Sequence, residues 1–264
     1  MSGGAGFRAE GLRVRLGGRM ALDGADFSAR PGALTAIVGP NGSGKTTLMR
    51  ALTGELSGRA IAAGCVTLDG RPLAQLDPTL LAQRRAVLPQ ASALAFPFTV
   101  LEVVRLGAAD PAAAVAALAQ VGLAGFGGRF YQELSGGEQQ RAQLARALAQ
   151  VARPPADGAA RWLLLDEPVA SLDIRHQIAV MRLARGFARS GGGVIAVMHD
   201  LNLTALFADA VAVMVEGRIV AAGPPEAALT DAVLSAAYAC ELRVNMAPAK
   251  GLFVLPHAPA GALS

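Results

Sequence analysis

Lysine is nearly missing from this 264-residue chain: of 24 basic residues only Lys45 and Lys250 are lysines, and the rest are arginines. Those arginines are scattered, without a basic run and without interleaved aromatics in a chain only 5 % aromatic. That pattern argues against the basic, aromatic-lined groove of a nucleic-acid-binding protein. The net charge of +4 fits a solvated surface with a mild cationic bias. Cysteine is equally scarce. Cys65 and Cys240 stand far apart and in no metal-ligand spacing, which predicts two reduced thiols rather than a disulfide framework or a thiolate metal site. Charged residues make up only 17 % and hydrophobic ones 53 %, the reverse of a disordered chain and enough for a sizeable core. A membrane span needs about 20 strongly apolar residues, and the uncharged stretch 112–128 is interrupted by Gln120 and four glycines. The opening MSGGAGFRAE has no apolar segment of the kind a secretory leader carries.

What the chain does contain is an alternation of short apolar runs and helical stretches. Residues 34–38, 66–68, 162–165, 193–198 and 211–215 read as strands, the second ending in a tight Asp69-Gly70 turn. Strands alternating with helices predict an α/β fold with a largely parallel sheet. A helix is expected over 46–53. Another follows Asp173, a suitable N-cap, with Ile174, Ile178 and Met181 recurring at i, i+4 and i+7 as an apolar stripe. Arg182, Arg185 and Arg189 lie toward its C-terminal end, where cations complement the helix dipole, and Gly191, Gly192 and Gly193 stop it. Residues 91–150 show no strong strand signal, and Ala-rich helical patterns dominate. The expected organisation is one domain over 1–264. Its α/β core comprises 7–90 and 151–223, with a helical subdomain inserted at 91–150. Residues 153–161 form a Pro/Gly/Ala loop, and 224–264 a tail of short helices and irregular chain.

Three motifs carry chemistry. Residues 39–46 read GPNGSGKT, matching G-x-x-x-x-G-K-[ST] between a strand and a helix. Gly39, Gly42 and Gly44 allow conformations and close approaches that a Cβ obstructs. Beside Pro40, which has no N–H to give, the N–H groups of Asn41 and Ser43 can then face phosphate oxygens, and the helix start adds its positive dipole end. Lys45 supplies a point charge for the β- and γ-phosphates and Thr46 a hydroxyl for Mg²⁺. Second, Asp166-Glu167-Pro168 closes an apolar run. Asp166 suits Mg²⁺, directly or through water, and Glu167 can take a proton from an attacking water, a role worth about 10²–10⁴-fold in rate. Third, Ser135 and Glu138 within LSGGEQQR (134–141) form an S-x-x-E capping box, with Gly136 and Gly137 leaving the first helical amides accessible.

The string LSGGEQQR, placed between the loop and Asp166-Glu167, resembles the signature motif of ATP-binding cassette (ABC) proteins. The family's other elements appear in order. Gln90 in LPQ resembles the Q-loop glutamine, Ser171-Leu172-Asp173 the D-loop, and His199 the switch histidine. The resemblance covers about residues 8–240. It implies a P-loop NTPase core with a mostly parallel sheet, an antiparallel β portion near the N-terminus and an inserted α-helical subdomain. It also implies ATP held at 39–47, Thr47 included, with Mg²⁺ at Thr46, Gln90 and Asp166, and Glu167 and His199 as catalytic residues. The signature residues Ser135, Gly136, Gly137 and Glu138 of a second copy then cover the γ-phosphate, so that a two-fold homodimer closes two sites. Two positions depart from the pattern. Leu16 stands where an aromatic residue usually stacks on adenine, which implies weak or differently supplied base recognition, and Val169 stands where Thr is common.

Within the family, residues 79–90, 94–107, 134–150 and 166–177, with the extra loop 153–161, resemble the ATPases that energise import of iron chelates, haem and cobalamin, and among these the hemin importers. The resemblance implies a peripheral subunit on the cytoplasmic face of the inner membrane. Its partners are two transmembrane permease subunits and, indirectly, a periplasmic haem-binding protein; no nucleic acid is involved. Hemin passes through the permease, so His176, His199 and His257 are not expected to be haem ligands. Phe96-Pro97-Phe98-Thr99-Val100 is expected to receive a permease helix. A ferric-siderophore or cobalamin importer, and a soluble ABC ATPase, are the alternatives. A P-loop kinase or GTPase leaves LSGGEQQR and His199 unexplained.

Overall fold

A computed structural model of the chain describes residues 5–56, 60–90, 96–108, 110–152 and 158–256. Residues 91–95 of the expected helical insertion, 153–157 of the expected loop, and His257 lie outside the described residues.

β1 (Phe7–Leu16) and β2 (Arg19–Ala29) form an antiparallel hairpin in which buried and exposed residues largely alternate. One face is therefore covered and the other meets water. Gly17 and Gly18, both at positive φ, make its turn. β3 (Leu34–Val38) is buried at every residue and runs into the loop that starts α1 (Lys45–Leu52). β4 (Ile61–Leu68) pairs with β1, and the Asp69-Gly70 turn joins it to β5 (Arg71–Pro72). α2 (Pro78–Arg84) leads into β6 (Arg85–Leu88). Next come α3 (Val100–Arg105), α4 (Pro111–Gln120) and α5 (Gly136–Gln150), packed on one another. β7 (Trp162–Asp166), α6 (Ile174–Arg189), β8 (Gly193–Val197), α7 (Leu201–Phe207) and β9 (Ala210–Val215) then alternate. β10 (Arg218–Gly223), α8 (Pro225–Ala228) and α9 (Asp231–Tyr238) complete the described elements.

The strands form a four-stranded antiparallel sheet, β2-β1-β4-β5, and a six-stranded sheet, β10-β9-β3-β8-β7-β6. The larger sheet is parallel except for β10 at its edge. The fold is thus α/β with a mostly parallel core and an antiparallel portion near the N-terminus. Successive strand residues point to opposite faces. Leu34, Ala36 and Val38 face the helices α3–α6, while Ile37 faces the cluster formed with β1, β2 and α1. Phe7 meets Trp162 edge to face at 4.9 Å across the two sheets. Gly193 must be glycine, because a Cβ there would overlap the Trp162 ring.

Some expectations shift. α1 spans Lys45–Leu52, with Thr53 as its C-cap rather than its last residue. Asp173 caps α6 by accepting the His176 N–H. Ile174, however, is 59 % exposed, and the packed face is Val180, Met181, Ala184 and Ala188. Only the later turns of that helix are buried, and periodicity cannot say where along a helix the contact begins. α6 ends on Ser190, and Gly193 opens β8. Among the described residues no helix is long and apolar enough to cross a membrane.

Candidate nucleotide-binding and hydrolysis site

Parallel strands bring their carboxyl ends to one edge, where ligands of open α/β sheets bind. Val197 is in register with both Ile37 and Asp166, and Leu88 with Leu165. The loop after β3, Asp166 at the end of β7, His199 just past β8 and Gln90 just past β6 therefore share this edge.

The start of α1 is open. Its N-cap, Gly44, has φ 102°, and no side-chain cap and no first-turn acid is present among the described residues. The first helical amides are left to an external acceptor. Glycine is required at two loop positions: a Cβ on Gly39 would fall on the Met214 carbonyl oxygen, and one on Gly44 would lie 2.8 Å from the Ala21 carbonyl oxygen. The buried Lys45 Nζ donates to the carbonyls of Gly39 at 2.8 Å and Pro40 at 3.0 Å. Burial pushes the Lys45 amine down, and the carboxylates of Glu167 and Asp166 hold it up. The Ser43 hydroxyl is buried with no partner among the described residues, while Asn41 and Thr46 are exposed and Thr47 half-buried. Open amides, an ammonium parked on loop carbonyls and an unpaired hydroxyl fit a polyphosphate.

Asp166 is buried, and its Oδ1 has no hydrogen-bond partner among the described residues. Burial, then the Glu167 charge, pushes its carboxyl up to about 6 against the opposing pull of Lys45 and His199. A hard cation relieves such an orphaned oxygen. No cluster of three or more His, Cys, Asp or Glu forms a cage among the described residues. This donor set suits Mg²⁺, which takes one or two carboxylates and completes its shell with phosphate oxygens and water. Thr46 and Gln90 are exposed on the same edge. Glu167 sits at φ 53°, a conformation unusual outside glycine that swings its side chain off the strand. Its Oε1 lies 2.6 Å from His199 Nε2.

The start of α5 is closed. The Glu138 carboxylate accepts the Ser135 N–H and hydroxyl, each at 2.8 Å, and Ser135 Oγ accepts the Glu138 N–H at 3.4 Å. The Ser135 amide and hydroxyl hold the Glu138 carboxyl below its ordinary range. A cleft of about 430 Å³ lies between Ser135, Gly136, Gly137 and Glu138 on one side and Ser171, Leu172, Asp173 and His176 on the other. The structure thus gathers Lys45, Asp166, Glu167 and His199 at one place and the signature and D-loop residues at another. No residue of 39–47 lines the second cleft.

Sequence reasoning missed two supports. Gln140 Nε2 donates to the Glu167 carbonyl at 2.8 Å, and its Oε1 accepts the Ser171 N–H at 3.3 Å. This one side chain ties α5 to both neighbouring turns. Its only sequence signal is membership of LSGGEQQR. Gly217, in the β9–β10 turn, donates to the Ser43 carbonyl at 2.9 Å, and nothing in the local sequence points there.

An uncapped Gly-rich loop on a parallel sheet edge, with its lysine facing a strand-end acid pair, defines a P-loop nucleotide-hydrolysing protein. The family profile described as ABC transporter matches residues 22–170. The chain belongs to the ABC transporter family, as an ATPase cassette. It is 59 % identical over 255 residues to the hemin import ATP-binding protein HmuV of Jannaschia sp. (strain CCS1), covering 94 % of this chain and 93 % of the relative. It is 57 % identical over 258 residues to HmuV of Rhizobium meliloti (strain 1021), covering 94 % and 97 %. Among solved structures it resembles the dimeric MJ0796, a bacterial ABC transporter cassette, with a TM-score of 0.71 and 25 % identity over 83 % of this chain and 98 % of that one.

Proposed function

We propose that this chain is the ATP-hydrolysing subunit of a membrane importer of hemin. It works as a homodimer beneath two transmembrane permease subunits, peripheral on the cytoplasmic face of the inner membrane. The observation that carries the reading is the 59 % identity to a hemin import ATP-binding protein along 94 % of the chain, well beyond the stretch covered by the broad family profile. In this division residues 7–90 and 151–223 form the nucleotide-binding core, 91–150 the signature-bearing subdomain, and 224–264 an accessory tail. Hemin comes from a periplasmic haem-binding protein through the permease and touches no residue here.

Gly39 to Thr47 bind the triphosphate, with Lys45 moving its ammonium from the Gly39 and Pro40 carbonyls to phosphate oxygens. Thr46, Asp166 and Gln90 hold Mg²⁺, which when bound neutralises charge on the β- and γ-phosphates. Glu167 accepts the proton of the attacking water, and His199, 2.6 Å away, orients that carboxylate and the γ-phosphate. Ser135, Gly136, Gly137 and Glu138 of the second copy close over the nucleotide, with Ser171, Leu172 and Asp173 beside them. The separation of the two clefts within one chain supports this division of labour. Phe96 is 69 % exposed and stands edge-on to Phe98 at 6.3 Å, and Phe130 is exposed nearby, bridged through Thr99. This apolar patch receives the permease.

The test is reconstitution with the permease and the delivery protein, measuring ATPase activity with hemin, a ferric siderophore or cobalamin. Stimulation by hemin alone is expected. Equal stimulation by either other cargo overturns the hemin assignment, and activity indifferent to the permease overturns the transport role.

A further inference from the structure

Glu167 holds a backbone that its own sequence disfavours. Its φ is 53°, a conformation that is costly for a residue with a Cβ. Pro168 follows it, and the residue before a proline prefers extended backbone. Such a conformation persists only where the surrounding structure over-determines it. Two bonds from elsewhere in the chain do this. The Glu167 N–H donates to the Val197 carbonyl at 3.2 Å; this continues the pairing of β7 with β8 and anchors the amide side of the residue. On the other side, the Glu167 carbonyl accepts Gln140 Nε2, from α5, at 2.8 Å. Within the turn the same carbonyl receives only a longer bond, from the Ala170 N–H at 3.4 Å.

Gln140 is itself held. Its Oε1 accepts the Ser171 N–H at 3.3 Å, so its amide has one satisfied orientation. Turned over, Nε2 would face a donor and Oε1 an acceptor. The start of α5 also lies close to this turn: a Cβ on Gly137 would lie 3.1 Å from the Ser171 carbonyl oxygen. Beyond the clamped backbone the Glu167 carboxylate meets His199 Nε2 at 2.6 Å. We propose that Gln140 is a positioning residue for hydrolysis: by holding the Glu167 carbonyl from α5 it fixes the backbone that aims the Glu167 carboxylate. The proposal rests on the reading of Glu167 as the base.

Gln140→Met keeps the side chain's length and removes both bonds. In the purified full chain, kcat for ATP is expected to fall about ten- to hundredfold, the scale of a misaimed reacting group. The KM for ATP stays within about twofold. An unchanged kcat, or a KM rise at constant kcat, overturns the proposal. A double-mutant cycle reads whether the loss passes through Glu167. Added to Glu167→Gln, where the base is already gone, Gln140→Met is expected to cost less than about twofold in single-turnover hydrolysis. An equal loss in both backgrounds means that Gln140 acts elsewhere and overturns the proposal. Gln140→Glu is the second variant: as a carboxylate it keeps an oxygen for the Ser171 N–H but has no donor for the Glu167 carbonyl. Its kcat is expected to fall too, and a parental kcat overturns the proposal. Hydrolysis at the parental rate by Glu167→Gln strikes the base reading itself, whereas equal losses in the cycle strike the positioning role alone.

Discussion

α1 and α5 both begin at glycine-rich turns, yet their ends are built in opposite ways. Gly44 leaves the α1 amides uncapped, with a lysine as the first helical residue. Ser135 and Glu138 bring a carboxylate onto the α5 end and satisfy its donors internally. α3 shows that such a box is ordinary architecture: Thr99 and Glu102 reproduce it with bonds of 2.7 to 3.3 Å. What distinguishes α5 is the pair Gly136-Gly137 and the cleft shared with Ser171–Asp173. A helix dipole contributes only about 0.3–2 kcal/mol, and at α5 part of that is already answered by Glu138. The open end leaves its donors free for an external anion. The closed end has its own donors already met by Ser135 and Glu138.

The contrast predicts effects of very different size. Glu167→Gln, on the open side, is expected to retain ATP binding but cut steady-state hydrolysis by about 10²–10⁴-fold, with closed pairs accumulating by size-exclusion chromatography. Hydrolysis at the parental rate removes the base from Glu167.

Asp166 gives the next effect. Its pKa of about 6 lies above the ordinary value of 3.8, so between them the folded chain binds more protons than the unfolded one. Stability then falls as pH rises through that window and is flat above it. Asp166→Asn is expected to stabilise the nucleotide-free chain by about 1–3 kcal/mol near neutral pH, to give no gain near pH 4, and to lose Mg²⁺-dependent turnover. Denaturant titrations at both pH values check this; a variant less stable at neutral pH shows that the carboxylate is satisfied without a cation.

The smallest effect belongs to the closed end. Ser135→Ala is expected to cost about 1 kcal/mol, a few degrees in Tm, and to leave nucleotide affinity of separated copies unchanged. A loss of that affinity would mean that the turn serves its own chain, and the contrast between the two ends would collapse.

The parts of the site legible in the sequence are those whose geometry is written within a few residues. The loop 39–46, the acid pair at 166–167 and the Ser135/Glu138 box each depend on neighbouring backbone, and strand-loop-helix order follows from apolar runs. Other parts were hidden. β1 and β2 carry charges on their open face, β6 offers only the three apolar residues 86–88, and β10 alternates exposed and half-buried residues at the sheet edge. Ile174 matches the helical period but extends into solvent. Gln140 and Gly217 act through long-range bonds, two each, that no local pattern encodes.

By itself the sequence determined the local chemistry: where a phosphate can be cradled, where a carboxylate ends a buried strand, which helix caps itself. Backbone conformation over a handful of residues suffices for that. Tertiary structure alone decided which distant groups meet. It set the order β10-β9-β3-β8-β7-β6, brought His199 onto Glu167 across 32 residues of chain, and placed Gly217 behind Ser43. These meetings depend on how the whole chain buries its apolar faces, a balance in which every strand takes part and which no short segment contains.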